Sequence, residues 1–196
     1  MERRAEITRE TQETAVTVGL RLDGTGRHEI ATGVPFLDHM LAQVAVHGLL
    51  DLTVDARGDL AVDDHHTVED VGIVLGQALK KALGDGQGVC RYGAATVPMD
   101  EALALVAVDL SGRAFLACDV PFAAPAIGRF DVQLVEEFLR ALATHAGLTL
   151  HVRLLAGRNA HHVAEAVFKA LGRALGQAVA LDPRRGGVPS SKGTLA

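Results

Sequence analysis

The chain has 196 residues, 48% of them apolar and 22% charged, with a formal net charge of −5. That length allows one large domain or two small ones, and the balance of apolar to charged residues excludes disordered and fibrous classes. The negative charge, with no long basic run, argues against a nucleic-acid or anionic-membrane partner, and no apolar run is long enough to span a membrane.

The N-terminal dozen residues are charged and lack the apolar stretch of a secretory signal, so a cytoplasmic protein is expected. Alternation at Val16, Val18, Leu20 and Leu22 predicts a strand, followed by a Gly-rich turn and a second strand toward Val34. Phe36, Leu37, Met40, Leu41 and Val44 recur at a helical period, which predicts a helix from Phe36 to His47. Leu49 to Val54 reads as a third strand, and residues 64–83 as a second helix ended by Gly84. The remainder repeats this order, with strands near 102–109, 114–120 and 148–154 and helices near 131–145 and 161–180. Cys90 and Cys118 are the only cysteines, and no structural disulfide is expected.

The repetition is visible residue by residue. His65, His66 and Glu69 recur 96 positions later as His161, His162 and Glu165, and residues 65–82 match 161–178 at nine of 18 positions. Val71/Val167, Leu75/Leu171, Gly76/Gly172 and Leu79/Leu175 are among them. One domain of two fused repeats is predicted, about 3–90 and 91–182, plus a tail, 183–196. The fold class is α+β: an internally duplicated ββαβα unit with helices packed on mixed β-sheets.

Two HHxxE helices have a geometric consequence. His65 and Glu69, four residues apart, share a helix face, while His66 is turned by about 100° and can reach another ion. The same holds for His161, Glu165 and His162. Two metal ions follow, each drawing ligands from more than one segment. Imidazole and carboxylate without thiolate suit Mn, Fe or Zn, and a six-coordinate, partly oxygen-ligated site favours Mn. The repeat aligns His39 with Glu137, giving eight candidate ligands: His39, His65, His66, Glu69, Glu137, His161, His162 and Glu165. A lone His pair is more often a helix cap or an exposed pair; two copies with Glu at the same offset favour metal. His39 and Glu137 on their own admit either reading. His47 and His151 either orient a ligand or are simply structural; His28 and His145 are read as structural.

Gly186 to Gly193 has the makings of an anion site, with Ser190, Ser191, Lys192 and free backbone N–H groups. Its bland alternative is a frayed polar tail. Arg91, Arg113 and Lys169 are further basic candidates, although Lys169 could simply pair with Glu165 at i,i+4.

LDGTG (22–26), TGVPFLDHML (32–41), HHTVEDVGI (65–73), RYG (91–93), VPMDEAL (97–103), DLSGR (109–113), HHVAEAVFKA (161–170) and PSSKG (189–193) together resemble the imidazoleglycerol-phosphate dehydratase family. The resemblance runs from about Arg3 to Leu195, and the monofunctional form, without an attached phosphatase domain, is expected. It implies a lyase of histidine biosynthesis with two Mn²⁺ per site, in the fold type of the second domain of a small-subunit ribosomal protein. It also implies a homo-oligomer of 24 subunits with active sites between them. Glu137 stands where some members carry His, and Ser191 where the tail motif commonly has Thr.

The implied reaction dehydrates imidazole glycerol phosphate to imidazole acetol phosphate. The proton removed is not acidic, so an electron sink is required: an imidazolate held between two metals, leading through a diazafulvene-like species to an enol and then the ketone. Glu165 is the leading candidate base. Glu13, in an RxTxET segment from Arg9 to Thr14, is the second acid/base; its alternative is an exposed strand residue. Arg91, Arg113, Lys169, Ser190, Ser191 and Lys192 would hold the phosphate. Gln43, Met99 and Asp100 would contact the glycerol chain or brace a loop. A dimetal hydrolase would use the same ligands without an imidazole slot, and a metal-storage protein would not need the basic set.

Overall fold

The computed structural model describes residues 2–195. The first half runs β1 (Arg4–Glu10), β2 (Thr14–Arg21), β3 (His28–Ala31), α1 (Pro35–Gly48), β4 (Asp51–Gly58) and α2 (His65–Leu83). The second runs β5 (Tyr92–Met99), β6 (Ala102–Asp109), β7 (Phe115–Asp119), a small hairpin of β8 (Ala126–Ile127) and β9 (Phe130–Asp131), α3 (Gln133–Ala146), β10 (Thr149–Ala156) and α4 (Ala160–Val179). The sheet orders are β1-β2-β4-β3 and β5-β6-β10-β7. In each, the last pair is parallel and the others antiparallel. The α+β fold with mixed sheets is as expected.

The main sheet of each half nevertheless carries one strand more than the ββαβα unit read from the sequence, and the second half adds the β8–β9 hairpin. β1 and β5 are edge strands, and each buries a single position, Ala5 and Gly93. Edge strands need no apolar alternation, and β5 even accommodates Pro98. β4 starts later than expected because Leu49 takes a left-handed conformation (φ 54°) and closes α1. It then runs on to Gly58, burying Ala56 between exposed Asp55 and Arg57. β3 stops short of Val34 because Thr32 turns inward, its amide donating to Asp38 Oδ1 at 2.9 Å. Pro35 then opens α1 at its first turn.

The helices decide how the halves meet. α1 packs on α4 and α2 on α3, so each contact joins one half to the other. The repeated glycines lie at these seams. A Cβ at Gly172 would stand 2.7 Å from Val44 O, and one at Gly76 would stand 2.8 Å from Leu142 O. Phe138 and Phe168 fill the core between α3 and α4, with ring centroids 5.4 Å apart. Both cysteines are free. Among the described residues no helix is long and apolar enough to cross a membrane.

Candidate metal centre

The start of α4 is capped by Asn159, whose side chain accepts from the amides of His161 at 3.0 Å and His162 at 3.4 Å. Successive helical positions, about 100° apart, then send the two adjacent imidazoles in different directions. His161 turns toward α1 and meets His39 there. Each presents Nε2 at 3.2 Å from Glu165 Oε2, and the three ligand atoms lie within 4.8 Å of one another. Two of these residues belong to the second half and one to the first. The α1–α4 crossing therefore assembles the cluster.

Lys169 Nζ donates to Glu165 Oε1 at 2.7 Å and approaches Met99 Sδ at 3.3 Å. Gln43 Nε2 stands 3.4 Å from His39 Nδ1. Phe36 walls the cluster, its ring centroid 5.3 Å from that of His161 and 5.0 Å from that of Phe130. Burial pushes the Glu165 carboxyl up, but hydrogen bonds from Lys169 and His39, with the Lys169 charge, outweigh it and hold the acid below its ordinary range. An ionised carboxylate converging with two imidazoles is a donor set that fits a divalent transition metal.

The second histidine of each pair is held by an acid. His162 Nδ1 lies 2.7 Å from Glu101 Oε2, and His66 Nδ1 lies 3.0 Å from Asp59 Oδ2. In each ring Nε2 is left facing another carboxylate, Asp100 at 3.7 Å and Glu13 at 3.8 Å. Such contacts at Nδ1 fix an imidazole's orientation and leave Nε2 for a ligand. Glu101 also accepts the amides of Asn159 at 2.8 Å and Arg158 at 3.2 Å. With His162 as the largest influence, its carboxyl is pulled down to about 2. The acids in turn raise His162 and His66 above the ordinary 6.5. A raised folded-state pKa stabilises the protein while the ring is protonated, and that gain is lost as pH rises through it. In metal-free protein, NMR titration is expected to find both rings protonating above pH 6.5, with Glu101→Gln returning His162 toward that value. Unchanged titration of His162 in that variant would contradict the pairing.

The duplicated counterparts of the cluster are looser. His65 and Glu137 line one cleft of about 380 Å³ between α2 and α3, with Asp63, Asp64 and Asp131 around it. Glu69 lies one helical turn from His65 and is half-buried. Among the described residues only His39, His161 and Glu165 converge to ligand distance.

The basic residues fall in two places. Lys169 belongs with Glu165. Arg91 does not: its Nε and Nη2 donate to Asp109 at 2.7 and 3.2 Å, and its Nη1 donates to Pro189 O at 2.8 Å. Arg91 thus ties the tail, with Ser190, Ser191 and Lys192, to the start of β5. Arg113 is exposed in the nearby turn after β6, its amide donating to Ser111 Oγ at 3.2 Å. Met99 ends β5, eight residues on, and a strand rises about 3.3 Å per residue. Roughly 25 Å of sheet therefore separates the tail cluster from the metal cluster within one chain.

Asp59, Glu101 and Phe36 were not singled out by sequence reading. Glu101 lies beside Asp100 in the VPMDEAL segment, so adjacency was the available signal. Phe36 sits one turn before His39 and read as core. Asp59 has no sequence signal. His47, in the last turn of α1, is pushed down by burial and then by Lys169 and Arg173. His151 stands exposed on β10 beside Phe115, ring centroids 5.9 Å apart. It touches neither cluster.

Residues 32–175 match the sequence pattern of the imidazoleglycerol-phosphate dehydratase family. The chain is 60% identical over 195 residues to the imidazoleglycerol-phosphate dehydratase of Desulforamulus reducens and 62% identical to that of Moorella thermoacetica, covering 100% of each. The crystal structure of the Staphylococcus aureus enzyme is 41% identical, with a TM-score of 0.83, covering 91% of this chain and 99% of that one. The Pyrococcus furiosus enzyme is 40% identical, with a TM-score of 0.84, covering 96% and 100%. The chain belongs to the imidazoleglycerol-phosphate dehydratase family, lyases of histidine biosynthesis.

Proposed function

We propose that the chain dehydrates imidazole glycerol phosphate to imidazole acetol phosphate at a two-manganese centre, in a cytoplasmic homo-oligomer of 24 subunits with sites between subunits. The observation that carries this is the ionised Glu165 facing imidazoles from both halves, His39 and His161. Bound manganese would supply the Lewis acidity that draws electron density from the substrate ring.

The chain's own residues then have distinct tasks. His39, His161 and Glu165 would hold one ion, and His65, Glu69 and Glu137, their counterparts by duplication, would contribute to the other. His66 and His162 offer Nε2 beside these sets, oriented by Asp59 and Glu101. Both Glu165 oxygens are engaged, one by Lys169 and one by imidazoles. Its weight therefore falls on holding the ion. Glu13, exposed on its turn beside His66, is freer to move a proton between the substrate carbon and solvent. Gln43, Met99 and Asp100 lie beside the cluster, where the glycerol chain would pass.

Arg113, Ser190, Ser191 and Lys192 would hold the phosphate, with Arg91 fixing the tail that presents them. A three-carbon chain cannot bridge the roughly 25 Å between the two clusters of one subunit. The tail of one subunit serving the metal centre of another removes that conflict.

Subunit hybrids test this. His161→Ala lacks a ligand and Lys192→Ala lacks a phosphate contact, and each homo-oligomer is expected to be nearly inactive. Co-expressed in one assembly, the two are expected to recover ketone formation, since some sites then draw both intact residues from different chains. Hybrids no better than either parent would overturn the shared site. Wild-type protein that forms no ketone would overturn the activity.

A further inference from the structure

The duplication is broken at one buried acid. Asp70 on α2 is 5% exposed, and the position matching it on α4 is Ala166. A buried carboxylate is costly unless fully partnered. The alanine in the copy shows that a helix and hairpin of this kind pack without it. Asp70 Oδ2 accepts from Arg9 Nη1 and from Thr14 Oγ1.

Those two partners bracket the turn between β1 and β2. Inside the turn, Thr11 Oγ1 accepts the amides of Glu13 at 3.1 Å and Thr14 at 3.0 Å. One helical turn before Asp70, and on the same face, His66 presents Nε2 toward Glu13 at 3.8 Å. Helix α2 therefore grips the base of the turn and faces its tip. The matching turn between β5 and β6 is tied down differently. It is only two residues, Asp100 and Glu101, and Glu101 itself bonds the start of α4. The first turn is longer, with residues 11–14 between the paired Glu10 and Ala15, and relies on an anchor from outside.

We propose that Asp70 is a positioning residue: by clamping Arg9 and Thr14 it holds Glu13 where the proton is moved. This rests on the reading of Glu13 as the proton-transferring group. The matching acid is absent from the second half because no proton-transferring carboxylate needs holding there.

The test compares Asp70→Asn, Thr14→Val, Glu13→Gln and their double variants as assembled, manganese-loaded enzyme. Asp70→Asn is expected to lower kcat on the order of 100-fold, the cost of misplacing a reacting group by about 1 Å. KM should change by less than about threefold, because substrate binding is untouched. In the Glu13→Gln background Asp70→Asn should add no further loss, since both act through one group. Thr14→Val removes a single bond and should fall between wild type and Asp70→Asn; it carries the same coupling test if Asp70→Asn does not fold. In metal-free protein, amide exchange at Glu13 should quicken at least about tenfold in Asp70→Asn. Losses that multiply in the double variants would overturn the role of Asp70 and leave that of Glu13 standing. A Glu13→Gln enzyme with full kcat would overturn both.

Discussion

Glu165→Gln is expected to lower kcat/KM by about 10³-fold or more while the protein still folds. The amide keeps the size and shape of the side chain, so the packing of α4 against α1 survives. What it loses is the charge on which three groups converge: His39, His161 and Lys169. A neutral amide is a poor ligand for a divalent ion, and it leaves the Lys169 ammonium, which is 17% exposed, without its counter-charge. Manganese content should therefore fall together with turnover, and a thermal melt should show a folded protein. Normal turnover with full metal content would remove Glu165 from the centre.

The second large effect is expected from Gly172→Leu, at a residue that touches no substrate. A Cβ there would stand 2.7 Å from Val44 O and 3.2 Å from Gln43 O, both backbone atoms of α1. The helices must part to admit it, and overpacking of this kind costs about 3 kcal/mol at the upper end of its usual range. Parting α1 from α4 also draws His39 and Gln43 away from Glu165, so metal affinity should fall beyond what stability explains. The neighbouring Arg173 is exposed, and Arg173→Leu should change stability by no more than about 0.5 kcal/mol. Denaturant melts and manganese titrations of the two variants make the comparison. Equal effects at the two positions would contradict the role given to the helix crossing.

This seam marks the limit of what could be read from the chain. Helices at 35–48, 65–83, 133–146 and 160–179 were legible because apolar residues recur at a helical period along each. β1 and β5 were not, because an edge strand with one buried position carries no such period. The paired His-His-x-x-Glu segments pointed to metal ligation, and the structure brings His39, His161 and Glu165 together as a candidate site. Their assembly was hidden, because His39 meets His161 and Glu165 only through the packing of α1 on α4. Gly76 and Gly172 were visible as a repeated pair, but their reason, close approach to the opposite helix, exists only in the folded chain. Of the acids behind the second histidines, Asp59 was out of reach and Glu101 had only its adjacency to Asp100. Asp59 and Glu101 precede their partners by seven and 61 residues, so no shared spacing links them. The basic residues expected to hold a phosphate were read as one group, yet within one chain β5 holds Lys169 apart from Arg91, Arg113 and the tail.

Manganese titration of metal-free enzyme, followed by ketone formation from imidazole glycerol phosphate, tests the central claim most directly. The account predicts no product without metal and a rise in dehydration that levels off at about two manganese ions per chain. Product formed at full rate by metal-free protein, or none at any manganese loading, would contradict it.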